Sequence, residues 1–442
     1  MDDKLKEGNG VTKPISILFL ADTRSYHTGR WLRFFAEKGF RIMLYDALNR
    51  PAGMEGVQIV QPGWKDDPQA PYPQRLAHIL VDLGIKLREV KPDLLHTHFL
   101  VNWGWWGAFS GFHPLLTTIW GSDLNIGTYH SDFHRRANQI SLWQSDVVTA
   151  DSNDLLQRAN ELTGTDKKGE LIYFGIDTDL FEPDRPTDDF RRKYDLESDQ
   201  IILSPRNFLP NFNITILIEA FAAVVSRFPR ARLILLSYQG MDPRYEEKVT
   251  ELVGRLNLKE KVRRLHALPR GDMADLFNIA RLTVSIPDHD GTACSVLESL
   301  ACQTPVIVSR IASMEEWVGD GDVGFLVDQH DPVELAGKIK EILASPESDR
   351  SMGAKGRELV IRRGDVNTEW TKMARLYSQL AAAGRSSVTP DYPGSKIVQD
   401  YLAAAAAAIT DGDAGRAREI YLALLQGLYK ADPEKLEPIL GA

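Results

Sequence analysis

Cysteine is almost missing. The 442 residues hold two, Cys294 and Cys302. Eight positions apart on what reads as one helix, they are too distant to bridge. That removes a disulfide framework and a zinc-type cluster, and it points to a reducing, cytoplasmic compartment. Long apolar runs are missing too. No stretch of about 18 apolar residues occurs, which excludes a membrane-spanning helix. Met1 to Lys13 is polar and lacks the apolar core of a signal peptide. An excess of positive charge is the third absence. With 52 Lys and Arg against 61 Asp and Glu, the net charge is −9, so nucleic acid is not an expected partner.

What is present is ordinary in bulk and patterned in detail. A hydrophobic fraction of 43% and a charged fraction of 26% are those of a soluble globular protein. The length suffices for two or more domains with their own cores. Ile15 to Leu20 reads as a buried strand, Ala21 to Gly29 as a loop and Arg30 to Lys38 as a helix with Trp31, Phe34 and Phe35 on one face. Gly39 ends that helix, and Phe40 to Tyr45 is the next strand, which makes a parallel βαβ unit. Pro71 to Val90 is an amphipathic helix with Leu76, Ile79, Leu80, Leu83 and Leu87 inward. The strand after Lys91-Pro92-Asp93 carries His96 and His98 on one face. No third ligand cluster lies near them in sequence, so no metal site is expected. Trp103, Trp105 and Trp106 fit a membrane-interface helix or a helix packed into the core, and the second reading is preferred. Arg135 and Arg136 are either contacts for an anionic acceptor or plain surface residues. Asp151 or Ser152 caps a helix.

Pro183 to Ser198 is charged and carries prolines, as an inter-domain segment would. Beyond it, strands at Ile201, Arg232, Val262, Leu282, Val306 and Val323 alternate with helices, the pattern of a second doubly wound parallel sheet. After a break at Pro390 to Pro393, Lys396 to Thr410 and Ala414 to Tyr429 read as a helical hairpin. It is either an oligomerisation or docking element or a lid packed on a domain.

The most informative stretch is Asp290-Gly291-Thr292-Ala293-Cys294-Ser295-Val296-Leu297-Glu298. It joins a strand, Leu282 to Ile286, to a helix starting near Cys294. Loops at the carboxyl ends of parallel strands are where open α/β sheets bind ligands, and a helix N-terminus suits phosphate. If the span were all helix, its two acids would be roughly 12 Å apart along the axis, the reach of a diphosphate flanked by two sugars. Asp290 and Glu298 would hold the sugars' hydroxyls, with the backbone of Gly291 to Ser295 on the phosphates. An ordinary βαβ unit with two solvated acids is the alternative. Arg206, at the end of the strand from Ile201, is placed to clamp a diphosphate.

Asp290-x7-Glu298 followed by Ser299-Leu300-Ala301-Cys302-Gln303-Thr304-Pro305-Val306-Ile307 resembles the signature of retaining glycosyltransferases of the GT-B fold, family 4. Asp290 stands where the family usually has Glu, and Gln303 where it has Gly. Lys91-Pro92-Asp93-Leu94-Leu95-His96-Thr97-His98 resembles the family segment whose second His lies in the active-site cleft. Trp120-Gly121-Ser122-Asp123 resembles a His-Gly-Ser-Asp segment, with Trp120 for the usual His. Tyr26-His27-Thr28-Gly29 stands where a Gly-Gly pair is usual. Arg206 lacks the family's Lys partner, and Asn211 or Asn213 supplies only a hydrogen bond. The likeness covers roughly Ile15 to Leu380.

The resemblance implies an α/β protein of two Rossmann-like doubly wound domains facing across a cleft, plus the C-terminal helical hairpin. The boundaries expected are a disordered tail at 1–14, an acceptor domain at 15–190, a nucleotide-sugar domain at 198–365, a crossover helix at 366–385 and a helical tail at 390–442. The implied activity moves a sugar from a nucleotide-diphosphate sugar to a glycan, lipid or small-molecule acceptor, with retention. Polysaccharide biosynthesis and peripheral contact with the inner membrane face are family habits. His98, Asp290 and Arg206 would be catalytic. Glu298, Gly291, Thr292, Ala293, Cys294, Ser295 and Asn211 would bind the donor. His27, Thr28, Gly29, Gly121, Ser122 and Asp123 would lie on the acceptor side. No cofactor or obligatory metal is implied. A non-catalytic nucleotide-sugar-binding or assembly protein on the same fold is the alternative, favoured by the missing Lys and Gly-Gly pair. A sugar-nucleotide epimerase is a further one.

Overall fold

The alternating strands and helices form two sheets in a computed structural model, which describes residues 13–47, 53–165, 169–196, 200–238, 240–319, 321–384 and 394–430. The expected tail at 1–14 lies almost wholly outside the described residues. The first sheet contains β1 (Ser16–Leu20), β2 (Arg41–Tyr45), β3 (Val57–Val60), β4 (Leu94–His98), β5 (Leu115–Ile119), β6 (Val147–Ala150) and β7 (Glu170–Leu171), in the order β3-β2-β1-β4-β5-β6-β7. The second contains β8 (Gln200–Ser204), β9 (Ala231–Ser237), β10 (Val262–His266), β11 (Ala280–Ser285), β12 (Val306–Ser309) and β13 (Gly324–Val327), in the order β10-β9-β8-β11-β12-β13. β1 pairs in parallel with both β2 and β4, and β8 with both β9 and β11. In each sheet the strand order therefore reverses beside the first strand, between β1 and β4 and between β8 and β11. Such switch points leave a crevice at the carboxyl ends of the strands.

By internal contacts the chain makes two units, each described here by itself. The first holds the described residues of Met1–Thr149, Arg158–Glu170 and Ala374–Ala442, and the second those of Ala150–Gln157 and Leu171–Met373. This differs from the expected boundaries. The segment expected to link domains, Pro183 to Ser198, belongs to the second unit: it forms the helix Asp188–Tyr194, with Phe190 and Leu196 buried in that unit's core. Apolar side chains spaced along a charged stretch decide its place, and the charges sit on the opposite face. The boundary between the units falls within the helix Val366–Ala383.

Two further expectations change locally. The loop expected through Gly29 ends at Ser25, whose side chain caps the helix Tyr26–Glu37 by accepting from Thr28 N. His27, Thr28 and Gly29 thus occupy a helix's first turn. Trp103 lies in a π-turn, Leu100–Gly104, with Asn102 at φ 66°, while Trp105 and Trp106 are buried in the helix Trp105–Ser110. The core reading of that tryptophan cluster is the correct one for these two.

The tail hairpin spends its apolar face on the first unit. The helices Ser395–Thr410 and Ala414–Lys430 bury Leu402, Ala405, Ala408, Tyr421, Leu424 and Leu425 in one cluster with Leu76, Leu80 and Trp105. Gly84 permits the close approach, since a Cβ there would lie 2.5 Å from Ile409 Cδ1. The stacked rings of Phe133 and Tyr429 and the hydrogen bond from Arg136 Nη1 to Leu428 O at 3.0 Å close the far end. Arg136 is therefore a tail anchor rather than a contact for an anionic acceptor. Leu425→Ala should destabilise the first unit by roughly 2–5 kcal/mol, as fully buried Leu truncations do. Urea unfolding followed by tryptophan fluorescence reads this, and a shift below about 0.5 kcal/mol would show the hairpin to be only loosely attached.

Candidate active site

The carboxyl ends of β8 and β11 carry the second unit's site. Arg206 follows β8. Its guanidinium lies over the Phe212 ring at 4.1 Å and donates through Nη2 to Asp290 Oδ2 at 2.5 Å, while its Nε has no partner among the described residues. Asp290 opens the loop before the helix Cys294–Ala301, and Ser313 Oγ donates to its carbonyl at 3.0 Å. Asn211 braces this loop from below. Its backbone oxygen accepts from Asp288 N, and its amide exchanges hydrogen bonds with the backbone of His289. Asn213, in the left-handed region at φ 51°, donates to Ile286 O and to Asp288 Oδ1. Both asparagines thus hydrogen-bond to the loop.

The expected phosphate-binding run divides in two. Gly291, Thr292 and Ala293 are buried, whereas Cys294 and Ser295 are partly exposed on the first turn. A Cβ at Gly291 would lie 2.5 Å from Asp151 Oδ1. Thr292 Oγ1 donates to Asp151 O and accepts from Trp317 Nε1 at 3.2 Å. These residues lock the loop in place. The helix has no side-chain N-cap and no acid in its first turn, so no carboxylate opposes an anion at its N-terminus. Because the helix begins only at Cys294, the all-helical spacing of Asp290 and Glu298 does not apply. Glu298 points into the protein at 4% exposure. Gln303 ends the motif at φ 61°, a left-handed position that explains why glycine is usual there.

A buried carboxylate needs a cation. Arg270 supplies it, its Nη2 donating to Glu298 Oε1 at 2.5 Å while the guanidinium lies over Phe181 at 4.4 Å. Sequence reasoning missed Arg270. The only signal was its place after Pro269, at the first turn of the helix Arg270–Ile279 that follows β10. Tyr238 was missed as well. Burial pushes its phenol up to about 12, the Glu298 charge adds to this, and Arg206 and Arg270 oppose it. Those four side chains therefore share one electrostatic neighbourhood.

The first unit has its own cluster at the β1–β4 switch point. His98 is buried, and neither ring nitrogen has a hydrogen-bond partner among the described residues. Rings hold it instead: Trp31 at 5.0 Å, Phe19 at 5.4 Å, His96 at 4.6 Å and Trp120 at 5.6 Å between centroids. His96 is fixed by hydrogen bonds. Trp31 Nε1 donates to Tyr377 Oη, which leaves the Tyr377 hydroxyl to donate to His96 Nδ1 at 2.8 Å. His96 Nε2 then donates to Thr118 Oγ1 at 2.7 Å. Of the expected acceptor-side residues, Thr28, Gly29 and Gly121 are buried and Ser122 is exposed. Asp123 is enclosed. It accepts from the backbone N–H groups of Leu100, Trp120, Gly121 and Leu124, and burial pushes its carboxyl up to about 6 against those donors. It braces the loop and presents nothing to solvent.

Two family profiles match the chain. The profile described as Glycosyl transferase 4-like matches residues 16–152, and that described as Glycosyl transferases group 1 matches residues 186–359. The chain belongs to the group 1, family 4 glycosyltransferases. This glycosyltransferase is 26% identical over 292 residues to the N-acetyl-alpha-D-glucosaminyl L-malate synthase of Bacillus anthracis, covering 63% of this chain and 73% of that protein. It is 26% identical over 282 residues to the D-inositol 3-phosphate glycosyltransferase of Thermobifida fusca, covering 60% and 64%. Among solved structures it resembles a sucrose-phosphate synthase from Thermosynechococcus elongatus, with a TM-score of 0.70 at 21% identity, covering 84% of this chain and 100% of that one. It also resembles Anabaena HepE in complex with UDP, with a TM-score of 0.68 at 19% identity, covering 83% and 100%. At such identities the structures speak to the fold, which is that of GT-B glycosyltransferases. Among the described residues no helix is long and apolar enough to cross a membrane, and no group of three His, Cys, Asp or Glu side chains could hold a metal ion.

Burial lowers His96 well below the ordinary imidazole value and His98 to about 3. Both rings are therefore neutral in the folded enzyme and protonate near pH 6.5 once unfolded. The stability this confers is complete above pH 6.5 and is lost as the pH falls toward about 3, at about 1.4 kcal/mol per pH unit per proton taken up. His98→Asn should remove one proton from that slope. Urea midpoints of parent and variant at pH 6.5, 5.5 and 4.5 measure the difference, and parallel pH profiles would count against two neutral buried imidazoles.

Proposed function

We propose that the enzyme binds a nucleoside-diphosphate sugar on its second unit and transfers the sugar, with retention, to an acceptor hydroxyl bound by its first. The observation that carries this reading is the pair of guanidinium–carboxylate contacts, Arg206–Asp290 and Arg270–Glu298, on either side of an uncapped helix N-terminus at the β8–β11 switch point. Glu298 takes the nucleotide's ribose hydroxyls. The N–H groups at Cys294 and Ser295 take the phosphates, and Arg206 and Arg270 neutralise them. Arg270 supplies the second positive charge that the absent Lys would bring. With two guanidinium groups on the leaving diphosphate, no metal is obligatory. Asp290 holds hydroxyls of the transferred sugar and His98 meets the reacting oxygens. The bond from the sugar's anomeric carbon to the β-phosphate oxygen breaks, the acceptor oxygen bonds to that carbon, and the hydroxyl proton passes to the released diphosphate.

The test is a thermal-shift and titration panel of UDP, GDP and ADP, alone and as their common sugar conjugates. One nucleotide should stabilise the parent, and Glu298→Ala should weaken its binding at least tenfold, the loss expected for a charge-assisted hydrogen bond of about 1.5–3 kcal/mol. Asp290→Ala should cost turnover more than nucleotide affinity. A Glu298→Ala variant that binds every nucleotide as the parent does would refute this donor site.

A further inference from the structure

A continuous arc of rings runs through the first unit beside His98. Tyr26 meets His27 at 5.8 Å, His27 meets Trp120 at 5.9 Å, Trp120 meets Phe99 at 6.3 Å, and Phe99 meets Trp103 at 6.1 Å between centroids. Tyr26 is 43% exposed, and the other four are partly exposed. Here the backbone is bent to present them: Phe99 lies at φ 80° and Asn102 at φ 66°, a left-handed region that is unfavourable for a bulky residue such as Phe. The Tyr72 hydroxyl donates to Asn102 Oδ1 at 2.5 Å and holds the second of these turns.

Two chemical properties narrow what the arc accepts. Its Trp and Phe rings carry no charge, and aromatic side chains supply rigid, amphipathic contact area at small conformational-entropy cost. The buried imidazole behind them, His98, has both nitrogens unpartnered among the described residues and stays neutral across the physiological range. A neutral imidazole offers one donor and one acceptor. A hydroxyl group offers the same pair in return, whereas a phosphate or carboxylate asks for donors and a positive charge. The nearby Arg24 guanidinium is already engaged by Asp22 at 2.9 Å.

We infer that the acceptor is a neutral pyranoside whose ring stacks within the Tyr26–Trp120–Phe99–Trp103 arc with one hydroxyl on His98, and that Trp120 is the residue that sets this preference. The inference rests on the proposed glycosyl transfer and names its acceptor class. Trp120 is central because it touches His98, His27 and Phe99 at once.

The experiment uses the full chain and the sugar nucleotide that the thermal-shift panel selects. Transfer of labelled sugar is measured to the methyl α-pyranosides of glucose, galactose and mannose, and to L-malate and inositol 1-phosphate as anionic probes. At least one methyl pyranoside should be labelled in preference to both anions. Trp120→Ala should raise its KM at least tenfold, while the nucleotide affinity read by titration on the second unit stays as in the parent. Trp120→Phe, which keeps a ring, should recover most of the loss and guards against a folding defect in the Ala variant. Preference for either anion, labelling of none of the five probes, or an acceptor KM that Trp120→Ala leaves unchanged would each overturn the inference. Loss of the donor reading would show itself separately, as absence of nucleotide binding in the parent or its persistence in Glu298→Ala.

Discussion

A carboxylate almost wholly withdrawn from water persists only beside a cation, and in the second unit that carboxylate is Glu298. Its helix packs into the core through Val296, Leu297, Leu300 and Ala301, so the acid cannot turn outward without unpacking the helix. Arg270 must then come to it, and Arg270 is held in turn by the Phe181 ring. Phe181 belongs to the stretch after Leu171, which explains in part why that stretch folds with the second unit. One ion pair thus connects the motif helix, the start of the helix after β10, and the point at which the chain changes unit. Removing either partner would leave the other charge buried and unmatched.

The neighbouring pair works at a more open position. Asp290 and Arg206 keep partial access to solvent, so their contact can loosen when a ligand with better-placed oxygens or hydroxyls arrives. The asparagines beneath them hold the loop's backbone. A second guanidinium in the same electrostatic neighbourhood comes from Arg270, at the start of the helix after β10.

In the first unit the polar groups follow the opposite logic. His96, Thr118, Tyr377 and Trp31 satisfy one another completely, whereas His98 is caged by rings and satisfied by none of them. The saturated network makes a rigid wall, and both His98 nitrogens stay without a hydrogen-bond partner among the described residues. Asp123, saturated by four backbone N–H groups, shapes the loop that carries Trp120.

Much of this protein was legible in its sequence. Alternating apolar strands and amphipathic helices specify two doubly wound sheets because periodicity is a local property. Arg206 and Asp290 stood out because they follow strand ends, Glu298 because of the motif it completes, and the strand-loop-helix unit sits where it was expected. Roles that depend on distant partners were not legible. Arg270 is 28 residues from Glu298 in the chain, and Thr292 turned to Asp151 and Trp317, 141 and 25 residues away. Asn211, Thr292 and Asp123 have the residue types of ligand-binding groups, yet tertiary contacts had already taken their hydrogen-bonding capacity. The charged stretch at 183–198 read as a linker because its two buried side chains are outnumbered locally, and only the core they enter shows their weight. Sequence determined which elements form and at which strand ends Arg206, Asp290 and His98 lie. Tertiary structure decided which polar atoms remain free, because a hydrogen bond or an ion pair between residues far apart in the chain leaves no local trace.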